Sequence, residues 1–199
     1  MTKRKPFLLL PRRLLVPALL AFATPARAQA KVYQFDEKLG QLTFTARHFG
    51  LMRSSGSFGR FNARVLLDPT DPSRAEVTVA VATGSIDLAW PGGVEMLRSP
   101  AYFASEEFPM AHFTGVAVGV ATRERFTIAG NLTMRGITKP LTMEARLLRR
   151  VRDPAQGGEV AEFSASGEVD RTDFGMVEDR TTISDRIVLA VQVRLLVGP

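Results

Sequence analysis

The sequence predicts an all-β protein: an eight-stranded antiparallel barrel with one short helical insert. Apolar and polar residues alternate with period two along most of the chain, the signature of strands with one buried face. Turn residues fill the breaks between these runs, and one stretch alone, residues 90–109, departs from the pattern. Closing so many antiparallel strands into a barrel leaves no exposed sheet edge.

Val32–Asp36 is a short candidate for a ninth strand. In QLTFTARHFG, Leu42, Phe44, Ala46 and His48 share one face, and Thr43, Thr45 and Arg47 share the other. A second run covers about 58–67. In AEVTVAVATGSI, Val77, Val79 and Val81 alternate with polar or small residues. Further runs occupy about 111–120, 124–133, 140–151 and 159–170. The last strand places Ile187, Leu189, Val191, Val193 and Leu195 on one face. Asp68-Pro69-Thr70-Asp71-Pro72 separates two runs, because each proline removes a ladder donor. Asp153 to Gly158 reads as a loop for similar reasons.

The aperiodic stretch is WPGGVEMLRSPAYFASEEFP. Its prolines and glycines break strand pairing, and Val94, Met96 and Leu97 suit one helical turn. Ser99-Pro100 suits a second helix start, with proline at the first position. Two short helices are therefore expected in one excursion.

Residues 1–28 read as a secretory signal peptide outside the fold. Lys3, Arg4, Lys5, Arg12 and Arg13 precede an apolar run from Leu14 to Phe22, and Ala26-Arg27-Ala28 is a small-x-small cleavage site. That run is shorter than the roughly 20 residues a membrane span needs. The expectation is a single mature domain, 29–199, without a transmembrane segment. Arg12-Arg13 leaves the general secretory and twin-arginine routes both open.

Removing the signal changes the charge. Six of the 26 basic residues precede the cleavage site and none of the 20 acidic ones does, so the remainder is balanced. A nucleic-acid partner needs a net basic footprint, which the mature chain lacks. There is no cysteine, so neither disulfides nor thiolate metal sites are available.

The stretch GNLTMRGITKPLTM, residues 130–143, reads as a hairpin. Phe126–Thr133 forms one strand, Arg135–Lys139 the connection, and Pro140 opens the next strand. Gly136 supplies a positive φ without steric cost. Asn131-Leu132-Thr133 has the form of a glycosylation sequon but lies inside a strand, so it reads as chance.

This hairpin resembles the G-x-L-T-x-x-G-x-T-K-P motif of the YceI-like family of bacterial proteins. Further blocks agree in order: Tyr33-Gln34-Phe35-Asp36, Phe44 with His48, Gly56-Ser57-Phe58 with Phe61, Ser85-Ile86-Asp87, Leu97-Arg98-Ser99 with Phe103 and Phe108-Pro109, and Arg171-Thr172-Asp173-Phe174-Gly175. The resemblance implies a lipocalin-like barrel exported to the periplasm, holding a long-chain polyisoprenoid or isoprenoid quinone in its core. A homodimer is raised by the resemblance alone. Met96 stands where the family usually has histidine, which makes that region more apolar.

The residues themselves offer little catalytic chemistry. His48 and His112 are the only histidines, and no zinc-type spacing, nucleophile elbow, phosphate loop or dinucleotide fingerprint occurs. His48 shares an apolar face with Phe44, which suits a hydrogen-bonded wall residue or a head-group contact. A lipid-acting enzyme using His48 and a filled scaffold for interaction or stress remain alternatives to the non-enzymatic carrier. No cofactor is implied. The candidate ligand contacts are Phe44, His48, Phe58, Phe61, Trp90, Leu97, Phe103, Phe108, Phe113 and Phe174, with Trp90, Leu97, Phe103 and Phe108 shaping the mouth. Energetics favour a long tail: a buried methylene contributes about 0.8 kcal/mol, against an association cost of about 4–15 kcal/mol.

Overall fold

The structure, a computed structural model, describes residues 31–35, 40–68, 71–122, 124–153 and 158–197. The expected signal peptide, 1–28, lies outside the described residues. Eleven strands are found among them: β1 (Lys31–Phe35), β2 (Gln41–His48), β3 (Met52–Phe58), β4 (Phe61–Asp68), β5 (Asp71–Ala82), β6 (Ile86–Leu88), β7 (Met110–Thr122), β8 (Arg125–Met134), β9 (Ile137–Asp153), β10 (Gly158–Asp170) and β11 (Arg186–Val197). All pair antiparallel in one sheet.

The sheet closes because β1 pairs with both β4 and β11. Eleven segments then trace eight staves. β1 and β2 lie along the same edge of β11, at Leu195–Val197 and Val188–Gln192 respectively. β4 pairs with β1, and β3 with β2. β5 pairs with β4, and β6 with β3. Three consecutive staves are therefore each broken once, at one level across the sheet. Backbone contacts hold this crease: Gly59 N–H donates to Ser85 O at 2.9 Å, and Ala82 N–H to Arg60 O at 3.0 Å. Ser85 Oγ accepts from Arg60 N–H at 3.0 Å.

The crease accounts for the strand count. The run expected at 58–67 is two strands, with Phe58 ending one and Phe61 starting the next. The run Ala75–Ile86 bends at a 3-10 turn, Thr83–Ser85, where Ser85 Oγ donates to Ala82 O at 2.6 Å. β5 starts at Asp71 and includes Pro72, so the proline-rich break is shorter than expected.

The excursion holds one helix, α1 (Gly93–Arg98). The helix expected from Ser99-Pro100 is instead a series of turns. Tyr102 N–H and Ala104 N–H both donate to Ser99 O, at 3.1 and 2.9 Å, and Ala104 takes a positive φ of 46°, which ends helical propagation. The β8–β9 connection is only Arg135-Gly136, at φ 52° and 72°, the two-residue primed turn that matches strand twist. Pro140 therefore sits inside β9, opposite Asn131, not at its start. The β10 ladder on the other side of β9 begins only at Met143, so a proline here costs no ladder donor on that side.

Tyr33, Leu195, Ala161 and Phe163 anchor the main core beside β1. Two smaller clusters lie under the excursion: Leu42, Phe58 and Ile86, and Tyr102, Ala111, Met134, Phe174 and Met176.

Candidate functional site: an apolar cavity open at one end

The barrel interior is not filled. A cavity of about 1100 Å³ runs inside it. The reason is residue size: Ala46, Ala63, Ala145 and Ala165 face inward among valines, and none reaches the barrel axis. The wall between them is hydrocarbon from Phe113, Phe126, Ile128, Met143, Phe163 and Leu189.

One end is plugged. Tyr33 is fully buried, and its hydroxyl donates to Glu159 Oε1 at 2.8 Å. Lys31 Nζ reaches Glu159 Oε2 at 3.3 Å, and Arg150 Nε donates to the same carboxylate. Burial alone would raise the Glu159 pKa, but hydrogen bonds from Arg150 and Tyr33 outweigh it and hold the carboxyl below its usual value. Burial and the Glu159 contact push the Tyr33 phenol up. Phe35 and Phe61 stack nearby, with ring centroids 4.6 Å apart.

The other end is a mouth formed by the β2–β3 hairpin, α1 with the turns after it, and residues 171–185. Nearly every polar lining group is here: His48, Arg53, Ser54, Ser55, Thr83, Arg171, Asp179 and Thr182. His48 Nε2 and Ser54 Oγ are 2.6 Å apart. Arg171 is buried and spans its own segment, donating to the carbonyls of Met176 at 2.9 Å, Glu178 at 2.6 Å, Ile183 at 3.2 Å and Ser184 at 3.1 Å. One guanidinium thus fixes that side of the rim. Tyr102 donates to Asp179 Oδ2 at 2.5 Å, and its pKa is pushed up to about 12 by burial and by that bond. Arg135 donates to the carbonyls of Pro100, at 2.7 Å, and Tyr102. Lys139 pairs with Asp173 at 3.5 Å. The T-x-x-G-x-T-K-P hairpin and the R-x-D-F-G segment, distant in sequence, therefore brace the mouth together.

Seven of the ten sequence-selected residues line the cavity: Phe44, His48, Phe58, Trp90, Leu97, Phe103 and Phe113. Phe58 links two of them, with Phe44 at 5.6 Å and Phe103 at 5.5 Å between ring centroids. Gly56 stands opposite Phe44, where a Cβ would fall 2.4 Å from its ring, so only glycine leaves that ring its place. The other three lie outside the lining. Phe61, at the crease, packs on Phe35. Phe108 covers Gly136 and gives its carbonyl to Thr83 Oγ1 at 2.8 Å. Phe174 is buried beside Tyr102 and Met176. Sequence reasoning overlooked the small wall residues, whose inward parity was the available signal, gave Arg171 no role beyond its motif, and overlooked Asp179, for which spacing offers no signal.

Among the described residues, no three His, Asp or Glu side chains come together as a metal-ligand set. No helix among them is long and apolar enough to cross a membrane.

The model of the YceI-like domain matches residues 33–195. The chain belongs to the YceI-like family. Protein YceI of Salmonella arizonae is 34% identical to it over 173 residues, 85% of this chain and 89% of that protein. Among solved structures, BcnA of Burkholderia cenocepacia superposes with TM-score 0.70 at 17% identity, covering 82% of this chain and 99% of that one. A Campylobacter jejuni YceI protein superposes at 0.68 with 22% identity, over 77% and 90% of the two chains. A Saccharophagus degradans domain described as polyisoprenoid-binding and implicated in plant cell wall breakdown superposes at 0.59 with 9% identity, over 85% and 100%. The last three show that the barrel is shared.

Proposed function

We propose that this YceI-like protein is a non-enzymatic carrier that buries the tail of a polyisoprenoid or isoprenoid quinone in its barrel, in the periplasm after signal cleavage. The observation that carries this reading is the cavity: about 1100 Å³, walled by hydrocarbon, plugged at one end and open at the other. Such a shape suits a long flexible chain that enters end-on. Its volume lies just above the range for small-molecule pockets, about 300–1,000 Å³. Polar groups cluster at the mouth, where a head group would remain in contact with water. The description of the Saccharophagus degradans domain as polyisoprenoid-binding supports the choice of tail.

Native mass spectrometry of protein recovered from the periplasm, followed by organic extraction, tests the reading. An adduct that extracts as a prenyl lipid is expected. Bare protein that also takes up no prenyl lipid on soaking would refute it. Turnover of the bound lipid that disappears in His48→Ala would replace the carrier with an enzyme.

A further inference from the structure

The rim carries a feature that holding a tail does not require. The β2–β3 hairpin ends in an exposed apolar tip: Phe49 is 65% exposed, Leu51 90% and Met52 60%. Trp90, just beyond β6, is 56% exposed. β6 pairs with β3 at Gly56↔Leu88, so the chain leaving it runs toward the same tip. Exposed apolar side chains gathered at one place mark an interaction surface.

The tip has a defined backbone. Phe49 and Gly50 both take left-handed φ, 48° and 71°. Phe49 N–H donates to Thr182 O at 2.9 Å, and Leu51 N–H to His48 O at 3.1 Å. Phenylalanine is disfavoured in that region, yet here its ring is held outward instead of buried.

Charge supplies the second half of the argument. Arg47 and Arg53 are direct cross-strand partners one step behind the tip. Ala46 and His48 line the cavity, so Arg47 faces outward; Arg53, its partner, borders the mouth, and both arginines are exposed. Like charges opposite one another weaken an antiparallel pair. Among the described residues, no carboxylate forms a salt bridge with either. Moving inward, the rim presents apolar groups first and cations next. A bilayer with anionic head groups is layered in the complementary order, as aromatic residues and arginines at membrane interfaces reflect.

We propose that this rim docks on the surface of a phospholipid bilayer containing anionic lipid, with Phe49, Leu51, Met52 and Trp90 among the head groups and Arg47 and Arg53 against phosphates. The cavity opens inside the same rim, between Phe49, Met52 and Trp90. Docking therefore sets the open end of the barrel against the membrane, and a tail could pass between them without crossing water. That consequence rests on the carrier reading; the docking does not.

Trp90 is the only tryptophan in the chain, so its fluorescence reports on the rim alone. The protein as recovered from the producing cell is mixed with vesicles of phosphatidylethanolamine and phosphatidylglycerol, or of phosphatidylcholine alone. With phosphatidylglycerol present, Trp90 emission should shift to the blue, be quenched by phospholipids brominated on their acyl chains, and respond less as salt rises. Leu51→Asp should weaken vesicle binding about tenfold or more. Arg47→Ser should weaken it about fivefold on the anionic vesicles and leave phosphatidylcholine unaffected. Leu51 lies outside the cavity lining, so Leu51→Asp should take up a prenyl alcohol in vesicle-free buffer as wild type does. If wild type takes up none, the carrier reading fails and the docking stands. Unchanged Trp90 emission on anionic vesicles, or equal binding by wild type and Leu51→Asp, overturns the docking. So does a dimer that Leu51→Asp converts to monomer in sedimentation while wild type ignores vesicles, which would give the rim to a second copy of this chain.

Discussion

At one end of the barrel Tyr33, Lys31, Arg150 and Glu159 interlock around a single carboxylate. At the other, the staves part around a helix, a hairpin and the segment fixed by Arg171. The walls between are the same alternating strands, so the wall does not decide whether the barrel stores anything. What crosses each end does. A buried tyrosine with a satisfied hydroxyl seals one end at little polar cost. A mouth made of short elements, with its aromatic residues only partly covered, leaves the other open.

The largest test of this comparison is truncation at each end. Leu195 is fully buried in the core cluster with Tyr33 and lies outside the cavity lining. Leu195→Ala should cost about 2–5 kcal/mol in urea unfolding. Phe103→Ala, at the half-buried mouth, should cost under about 2 kcal/mol and instead weaken prenyl-lipid binding in a titration. Equal losses at both ends would erase the distinction.

Tyr33→Phe removes the sealing hydroxyl while keeping the ring. It should lower stability by about 1–2 kcal/mol and leave lipid affinity unchanged. Lost affinity would place Tyr33 in the site.

Acid should act on the sealed end. The Glu159 carboxyl titrates below its ordinary value of 4.5, so the stability it contributes is present above that value and is lost as pH falls through the lowered one. Unfolding midpoints followed downward from pH 4.5 should fall, and Glu159→Gln should flatten that limb. A limb unchanged in Glu159→Gln would point to another carboxylate.

The smallest effect marks both ends at once. The chain has two tyrosines, one at each end, and both phenols are pushed above 10, Tyr102 to about 12. The stability they contribute is complete below pH 10 and declines above it. The tyrosinate absorption band of the folded protein should develop with one phenol near 12, and denaturant should bring both back to about 10. A folded-state titration at 10 would remove the Tyr102–Asp179 bond from the mouth.

Much of this was legible in the sequence. Period-two alternation marked the walls: Leu42, Phe44, Ala46 and His48 all face the cavity as their shared parity implied. The crease is a switch of inward parity, from Phe58 to Ala63 and Val65 across Gly59-Arg60 and from Val77, Val79 and Val81 to Leu88 across Thr83–Ser85, and reading 58–67 and 75–86 as single runs passed over it. Phe58 and Phe61 were paired by their shared motif, and only Phe58 reaches the cavity. The second helix was read from Ser99-Pro100, a real start signal, but the tertiary bonds of Arg135 to Pro100 O and Tyr102 O take up the backbone groups there. Arg171 was visible as part of a motif, yet its role needs four carbonyls from a segment that only the fold brings around it.

On the carrier reading, a tail lies inside the barrel. Ala165 lines the cavity from β10, and Thr114 stands exposed on β7. Equilibrium binding of a fluorescent prenyl lipid to wild type, Ala165→Trp and Thr114→Trp, each checked for an unchanged far-ultraviolet spectrum, locates the tail. Ala165→Trp should lose binding while Thr114→Trp matches wild type. Full binding by a correctly folded Ala165→Trp would place the lipid elsewhere and contradict that reading.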